Sequence, residues 1–326
     1  MVEIYGTLGP ACSDTDTLKK MFGNGMTGVR LNLSHVTLDE AAPVIDSLHR
    51  AAESCGIKAK LLIDMQGPEL RIPATDKPVM LEKGDTVKLG DGGIPVPGLV
   101  EEYLVPGQEV LIDDGKLLLR VTEKLPHGAV CEVIRGGALY GRKSIALPGS
   151  DIYPPTMTGQ DIINISAAAE YGVTGVMQPF VRGRDDLVTV RRALDDAGCG
   201  DVRIFAKIEN MQGVANLDEL MPECDEIVIA RGDLGNAMPL WELPGVQKRI
   251  SARCAAAGKP FTVVTQMLMS MVDSPVPTRA EVSDIYNAVI DGAASVMVTG
   301  ETAVGRYPAE VIKYLANTAE AAWRDK

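Results

Sequence analysis

Two short stretches carry most of the chemistry legible in this chain: Lys207-Ile208-Glu209 and Arg231-Gly232-Asp233. Each closes a short apolar run that reads as a buried strand, and residues two apart on a strand share a face. Lys207 with Glu209, and Arg231 with Asp233, are therefore expected to point the same way and gather two cations and two carboxylates around one spot. One or two carboxylates holding Mg²⁺ or Mn²⁺, with substrate phosphate oxygens completing the shell, suit a metal-assisted reaction on a phosphate. Lys207 would add a compact positive charge on a transferring phosphoryl group. Gly232 leaves backbone N–H groups open to a substrate carboxylate or phosphate.

These residues need a scaffold that ends at one mouth. Strand-like runs occur at Glu3–Gly6, Gly28–Leu31, Ala59–Asp64, Gly175–Phe180, Arg203–Ile208, Glu226–Ala230, Phe261–Thr265 and Ser295–Thr299. Amphipathic stretches alternate with them at Thr15–Phe22, Leu38–Ser54, Asp185–Asp196, Leu217–Met221, Gln247–Ala257, Arg279–Asp291 and Ala309–Trp323. The pattern predicts an α/β fold, a (β/α)8 TIM barrel, whose working face is the carboxyl end of the strands. Residues 72–143 break the rhythm with short β-like pieces between Gly, Pro and Asp clusters. They read as a small all-β lid domain inserted after the third strand, between barrel segments 1–71 and 144–326. Polar residues collect where strands should finish: Arg30, Asn32, Ser34, Asp64, Arg182, Lys207, Glu209, Arg231, Asp233, Thr265, Thr299 and Glu301. In a barrel such ends surround one cavity, which favours an anion-binding catalytic pocket.

Composition narrows the partners. A net charge of −12 over 326 residues excludes a broad nucleic-acid surface, while 46% hydrophobic residues supply a large core. No apolar run reaches the roughly 20 residues of a membrane span, and no basic-apolar leader opens the chain, so a cytoplasmic protein is expected. The six cysteines lack metal-ligand spacing and are expected to be buried free thiols.

The chain resembles the pyruvate kinase family. The resemblance is carried by Gly9-Pro10-Ala11, Arg30-Leu31-Asn32-Leu33-Ser34-His35, Leu62-Ile63-Asp64, Gly67-Pro68-Glu69-Leu70-Arg71, Leu111-Ile112-Asp113-Asp114-Gly115, Arg142-Lys143, Ala206-Lys207-Ile208-Glu209-Asn210, Ala230-Arg231-Gly232-Asp233-Leu234-Gly235, Thr265-Gln266-Met267, Pro277-Thr278-Arg279-Ala280-Glu281 and Thr299-Gly300-Glu301-Thr302-Ala303. These run from end to end in family order. The resemblance implies transfer of phosphate from phosphoenolpyruvate to ADP, giving pyruvate and ATP. It implies Mg²⁺ on Glu209 and Asp233, and K⁺ on Asn32, Ser34, Asp64 and the Met65 main chain. Lys207 and Arg30 would contact phosphate, Gly232, Asp233 and Thr265 the substrate, and Arg30, Asn32, His35, Arg71 and Lys143 the nucleotide. Thr265 would lie near the enolate carbon, with a water relay to Glu301 and Thr299 for protonation. Glu69 matches the residue of K⁺-dependent members. A homodimer through the 277–291 helix is implied as well. Family members continue into a separate domain carrying an effector site. This sequence ends at Lys326, so regulation by that route is not expected.

Four departures touch the site. Met65-Gln66 stands for Thr-Lys, Gln178-Pro179-Phe180 replaces the usual Ser-Phe surroundings near the expected enolate, Lys143-Ser144-Ile145-Ala146 replaces Lys-Gly-Val-Asn, and Thr299 replaces a serine. They keep two further readings open: a metal-dependent C–C lyase or decarboxylase acting on a 2-oxo acid, and a non-catalytic sensor of phosphoenolpyruvate.

Overall fold

The computed structural model describes residues 2–34, 36–75, 77–113, 115–150 and 152–326. They form two compact units, Met1–Gly67 with Thr156–Lys326, and Pro68–Pro155. In the first, eight strands run parallel: β1 (Glu3–Thr7), β2 (Gly28–Asn32), β3 (Lys60–Asp64), β4 (Gly175–Gln178), β5 (Arg203–Ile208), β6 (Glu226–Ala230), β7 (Phe261–Val264) and β8 (Ser295–Met297). They close into the expected barrel in the order β1-β8-β7-β6-β5-β4-β3-β2. A run such as Glu226-Ile227-Val228-Ile229-Ala230, buried at every position, is what a parallel strand covered on both faces requires.

Alternation along the strands sorts the interior into layers. Tyr5, Leu62, Met177, Phe205, Val228, Ala230, Val264 and Met297 pack together as an apolar middle layer. Val29, Ile63, Val176 and Ile204 face outward and pack with the helices. The Leu38–Ser54 helix shows how: a Thr37/Glu40 capping box starts it, and Leu38, Ala41, Ile45, Leu48, Ala51 and Ala52 form its buried stripe. At the amino end of the strands, Glu226 accepts hydrogen bonds from Thr262 (2.6 Å), Ser295 (2.8 Å) and Arg203 (2.9 Å). This satisfied polar plug closes the lower end of the barrel and leaves the carboxyl end for chemistry.

Among the described residues the second unit is all-β apart from one helical turn at Gly98–Glu101. Five strands pair antiparallel in the order Ile145–Ala146, Glu109–Ile112, Leu117–Leu125, Gly128–Arg135, Thr86–Gly90, and Val79–Leu81 pairs with Gly137–Leu139. Its own core includes Leu119, Val121, Cys131 and Val133, with Leu70, Leu147 and Ile152 packed in from the flanking stretches.

Three expectations need correction. The Arg231-Gly232-Asp233 stretch does not extend a strand: β6 stops at Ala230 and Arg231–Leu234 forms one helical turn. Residues two apart in a helix are about 200° apart, so Arg231 and Asp233 diverge. A helix at Gly159–Ala167 was not foreseen, although Thr158 and Asp161 have the spacing of a capping box and form one. Five cysteines are buried, but Cys55 is exposed at the end of the Leu38–Ser54 helix. Truncating the fully buried ring of Phe205 tests the middle layer: Phe205→Ala is expected to cost about 3–5 kcal/mol in a denaturant melt.

Candidate active site

Above the apolar layer the inward positions turn polar. Asn32 pairs in register with Asp64, and Asp64 with Met177, so the ends of β2, β3 and β4 stand side by side. Asp64, 2% exposed, accepts from Arg30 Nε at 2.9 Å and Nη2 at 2.7 Å. Lys207 Nζ donates to both Asp64 oxygens, at 3.2 and 3.1 Å, and lies 2.9 Å from Glu209 Oε1. Thus the expected meeting of Arg30, Asp64, Lys207 and Glu209 occurs, from β2, β3 and the end of β5.

The charges of this cluster hold one another. Burial disfavours ionised Asp64, but the Lys207 and Arg30 charges outweigh it and lower its pKa. Burial likewise opposes the Lys207 ammonium, yet Asp64 and Glu209, aided by Asp233, overcome it and the repulsion of Arg30, raising its pKa. Glu209 is pushed up to about 7, first by burial and then by Asp233 and Asp64, against the pull of Lys207. Three carboxylates facing two cations leave an excess negative charge.

That excess suits a divalent cation. Among the described residues no three His, Cys, Asp or Glu side chains form a metal cage. Two carboxylates with the remainder left to water and substrate is a donor set for Mg²⁺ or Mn²⁺. Glu209 is further anchored by the Phe180 N–H, 2.8 Å from Oε2, with Phe180 held at φ +50°. Residue identity alone gave no signal for that amide. The oxygens of Asn32, Ser34, Asp64 and Met65 are a donor set for a weakly hydrated monovalent cation. Asn32 Oδ1 accepts from Ser34 N at 3.0 Å, and Leu33 N donates to Asp64 O at 2.9 Å, bringing these donors onto adjoining turns.

Thr265 lies just past β7 at φ +75° and Gln266 follows at +53°. A β-branched residue there is strained by about 1–3 kcal/mol and must be held by its surroundings. Arg231 Nη2 donates to Thr265 O at 2.6 Å, while Arg231 Nη1 is ion-paired with Asp284 at 2.6 Å. Gly232 N donates to Thr265 Oγ1 at 2.9 Å. The Gly232 amide, expected to meet a substrate, is thus spent on Thr265, and by accepting it the Thr265 hydroxyl is left to donate its own proton elsewhere. Glu301 is fully buried and accepts from Leu268 N (3.2 Å), Thr299 N (2.7 Å) and Thr299 Oγ1 (3.2 Å).

Arg182 and Gln178 stand outside this cluster. Arg182 is ion-paired with Asp186 on the next helix at 2.7 Å. Gln178 does not face the barrel interior, because Met177 does: its amide donates to Thr156 O (3.0 Å) and Pro179 O (3.2 Å). Arg71 and Lys143 belong to the second unit, paired with Glu69 at 2.6 Å and Asp113 at 2.9 Å. His35 lies outside the described residues. The Gln66 and Gly67 amides rest on Asp161, a buried residue of the unforeseen helix.

The family described as "Pyruvate kinase, barrel domain" matches residues 1–312. The pyruvate kinase of Methylorubrum extorquens is 39% identical over 337 residues, covering 99% of this chain and 69% of the relative. That of Aeropyrum pernix is 36% identical (99% and 71%), and that of Borreliella burgdorferi 35% (98% and 68%).

Glu209 makes stability depend on pH. With its folded pKa raised from the ordinary 4.5 to about 7, the folded state binds the proton more tightly than the unfolded chain. Its contribution therefore declines as pH rises from 4.5 to 7, by on the order of 3 kcal/mol, and is flat above. Urea melts without divalent ions at pH 5, 6, 7 and 8 should show this slope in the original protein and lose it in Glu209→Gln. An unchanged slope would assign the titration to another group.

Proposed function

The chain belongs to the pyruvate kinase family, and from that membership we propose that it transfers the phosphoryl group of phosphoenolpyruvate to ADP, yielding pyruvate and ATP. The observation that carries the reading is the Arg30–Asp64–Lys207–Glu209 network at the carboxyl end of the barrel. Glu209 and Asp233 would hold Mg²⁺ or Mn²⁺, and Asn32, Ser34, Asp64 and the Met65 carbonyl would hold K⁺. When bound, these ions supply positive charge that offsets the phosphate and carboxylate oxygens of the reactants.

The protein's own groups do the rest. Lys207, kept protonated by its carboxylate neighbours, donates to an oxygen of the transferring phosphoryl group as charge spreads over it. Arg30, oriented by two hydrogen bonds to Asp64, presents its remaining N–H groups to phosphate. After transfer, the methylene carbon of enolpyruvate takes a proton through Thr265, replenished by way of water and the Thr299 hydroxyl, which Glu301 orients. His35, Arg71 and Lys143 are proposed nucleotide contacts. Of the departures that keep the lyase reading open, Gln178 directs its amide NH2 to Thr156 O and Pro179 O rather than into the barrel interior.

A coupled assay with phosphoenolpyruvate, ADP, Mg²⁺ and K⁺ should show pyruvate and ATP forming one for one. Lys207→Met should lower kcat by about 10²–10³-fold or more, with Mg²⁺ affinity measured by calorimetry changed far less. Oxaloacetate decarboxylation without ATP formation would move the assignment to the lyase.

A further inference from the structure

The peptide linking Met65 to Gln66 is held from outside the cation-donor set. In a planar trans peptide the C=O and N–H groups point in opposite directions. Gln66 N–H donates to Asp161 Oδ1 at 2.8 Å, so the Met65 carbonyl is aimed away from Asp161. The next amide repeats the arrangement: Gly67 N–H donates to Oδ2 at 2.9 Å, with Gly67 at φ +56°. A Cβ at that glycine would sit 2.4 Å from Pro179 Cγ, so the turn has no freedom to swing that way.

Asp161 itself cannot turn. It is fully buried, and Oδ2 also accepts from Thr158 N (2.8 Å) and Thr158 Oγ1 (2.9 Å). From the other side, Met65 N–H donates to Met177 O at 3.1 Å. Gln66 extends the tie, its amide donating to Leu33 O at 3.1 Å between Asn32 and Ser34. An anion at the N–H end of a peptide also polarises it, which makes the carbonyl oxygen at the far end a better cation ligand.

We propose that Asp161 is a positioning residue that aims and polarises the Met65 carbonyl toward a monovalent cation without touching the ion. The inference rests on the K⁺ assignment above and extends it to a residue of the Gly159–Ala167 helix.

Two K⁺ titrations test it, at constant ionic strength with choline as replacement: thermal shift of the substrate-free protein, and turnover. Asp161→Asn offers an NH2 where one backbone amide needs an acceptor, and should raise the half-saturating K⁺ by about 10–100-fold in both. At saturating K⁺ the KM for phosphoenolpyruvate should stay within about twofold, since Asp161 acts on the ion's ligand rather than on the substrate. Thr158→Val removes another donor to the same carboxylate; it should lower the melting temperature and leave the K⁺ response alone. Should Asp161→Asn fail to fold, Asp161→Glu, with its charge one methylene further out, should shift the response in the same direction. An unshifted K⁺ response in the Asp161 variants, or an equal shift in Thr158→Val, would reduce Asp161 to a helix cap. Turnover with no K⁺ response in the original protein overturns this proposal and leaves the phosphotransferase reading standing. A K⁺ response that shifts in Asp161→Asn without any turnover supports it and overturns that reading.

Discussion

The arrangement depends on one shared carboxylate. Asp64 is buried, and a buried anion is tolerated only when paired and hydrogen-bonded. Both its oxygens are engaged, by Arg30 from the adjacent strand and by Lys207 from two strands further round the barrel. The same contact keeps Lys207 charged and Arg30 in a single orientation. Removing Asp64 would take from Arg30 the carboxylate that orients it and leave Lys207 to Glu209 alone, so organisation of the site and its electrostatic balance are one property.

Around that centre, backbone geometry does what side chains alone cannot. Phe180 and Thr265 occupy left-handed conformations just past β4 and β7. Each is tied to the site by an amide: Phe180 N to Glu209, Gly232 N to Thr265 Oγ1. The strain is held by neighbours that gain hydrogen bonds from it, with Arg231 gripping the Thr265 carbonyl. The Gln66–Gly67 turn follows the same logic, with Asp161 as its anchor.

Much of this was legible beforehand where a pattern repeats. β5 and β6 fall on the expected boundaries, and the Leu38–Ser54 helix does too, because buried runs and amphipathic stripes are periodic over many residues. What failed was local. Strand periodicity projected past Ala230 put Arg231 and Asp233 on one face, whereas a helical turn separates them. Gln178 was expected near the reacting carbon because Gln178-Pro179-Phe180 stands where the family has Ser-Phe, but Met177 takes the inward face and one step along a strand reverses it.

Residue types, their order and their periodicity were enough to determine the parallel barrel, the family, and the meeting of Arg30, Asp64, Lys207 and Glu209. Those features depend on patterns that survive without coordinates. Only the tertiary structure decided which acid pairs with which base, that Glu209 has Asp64 and Asp233 as neighbours, and that Asp161 reaches Gln66 across 95 positions of sequence. Distances of about 3 Å between distant segments set hydrogen bonds and pKa values, and no local pattern in a chain encodes such distances.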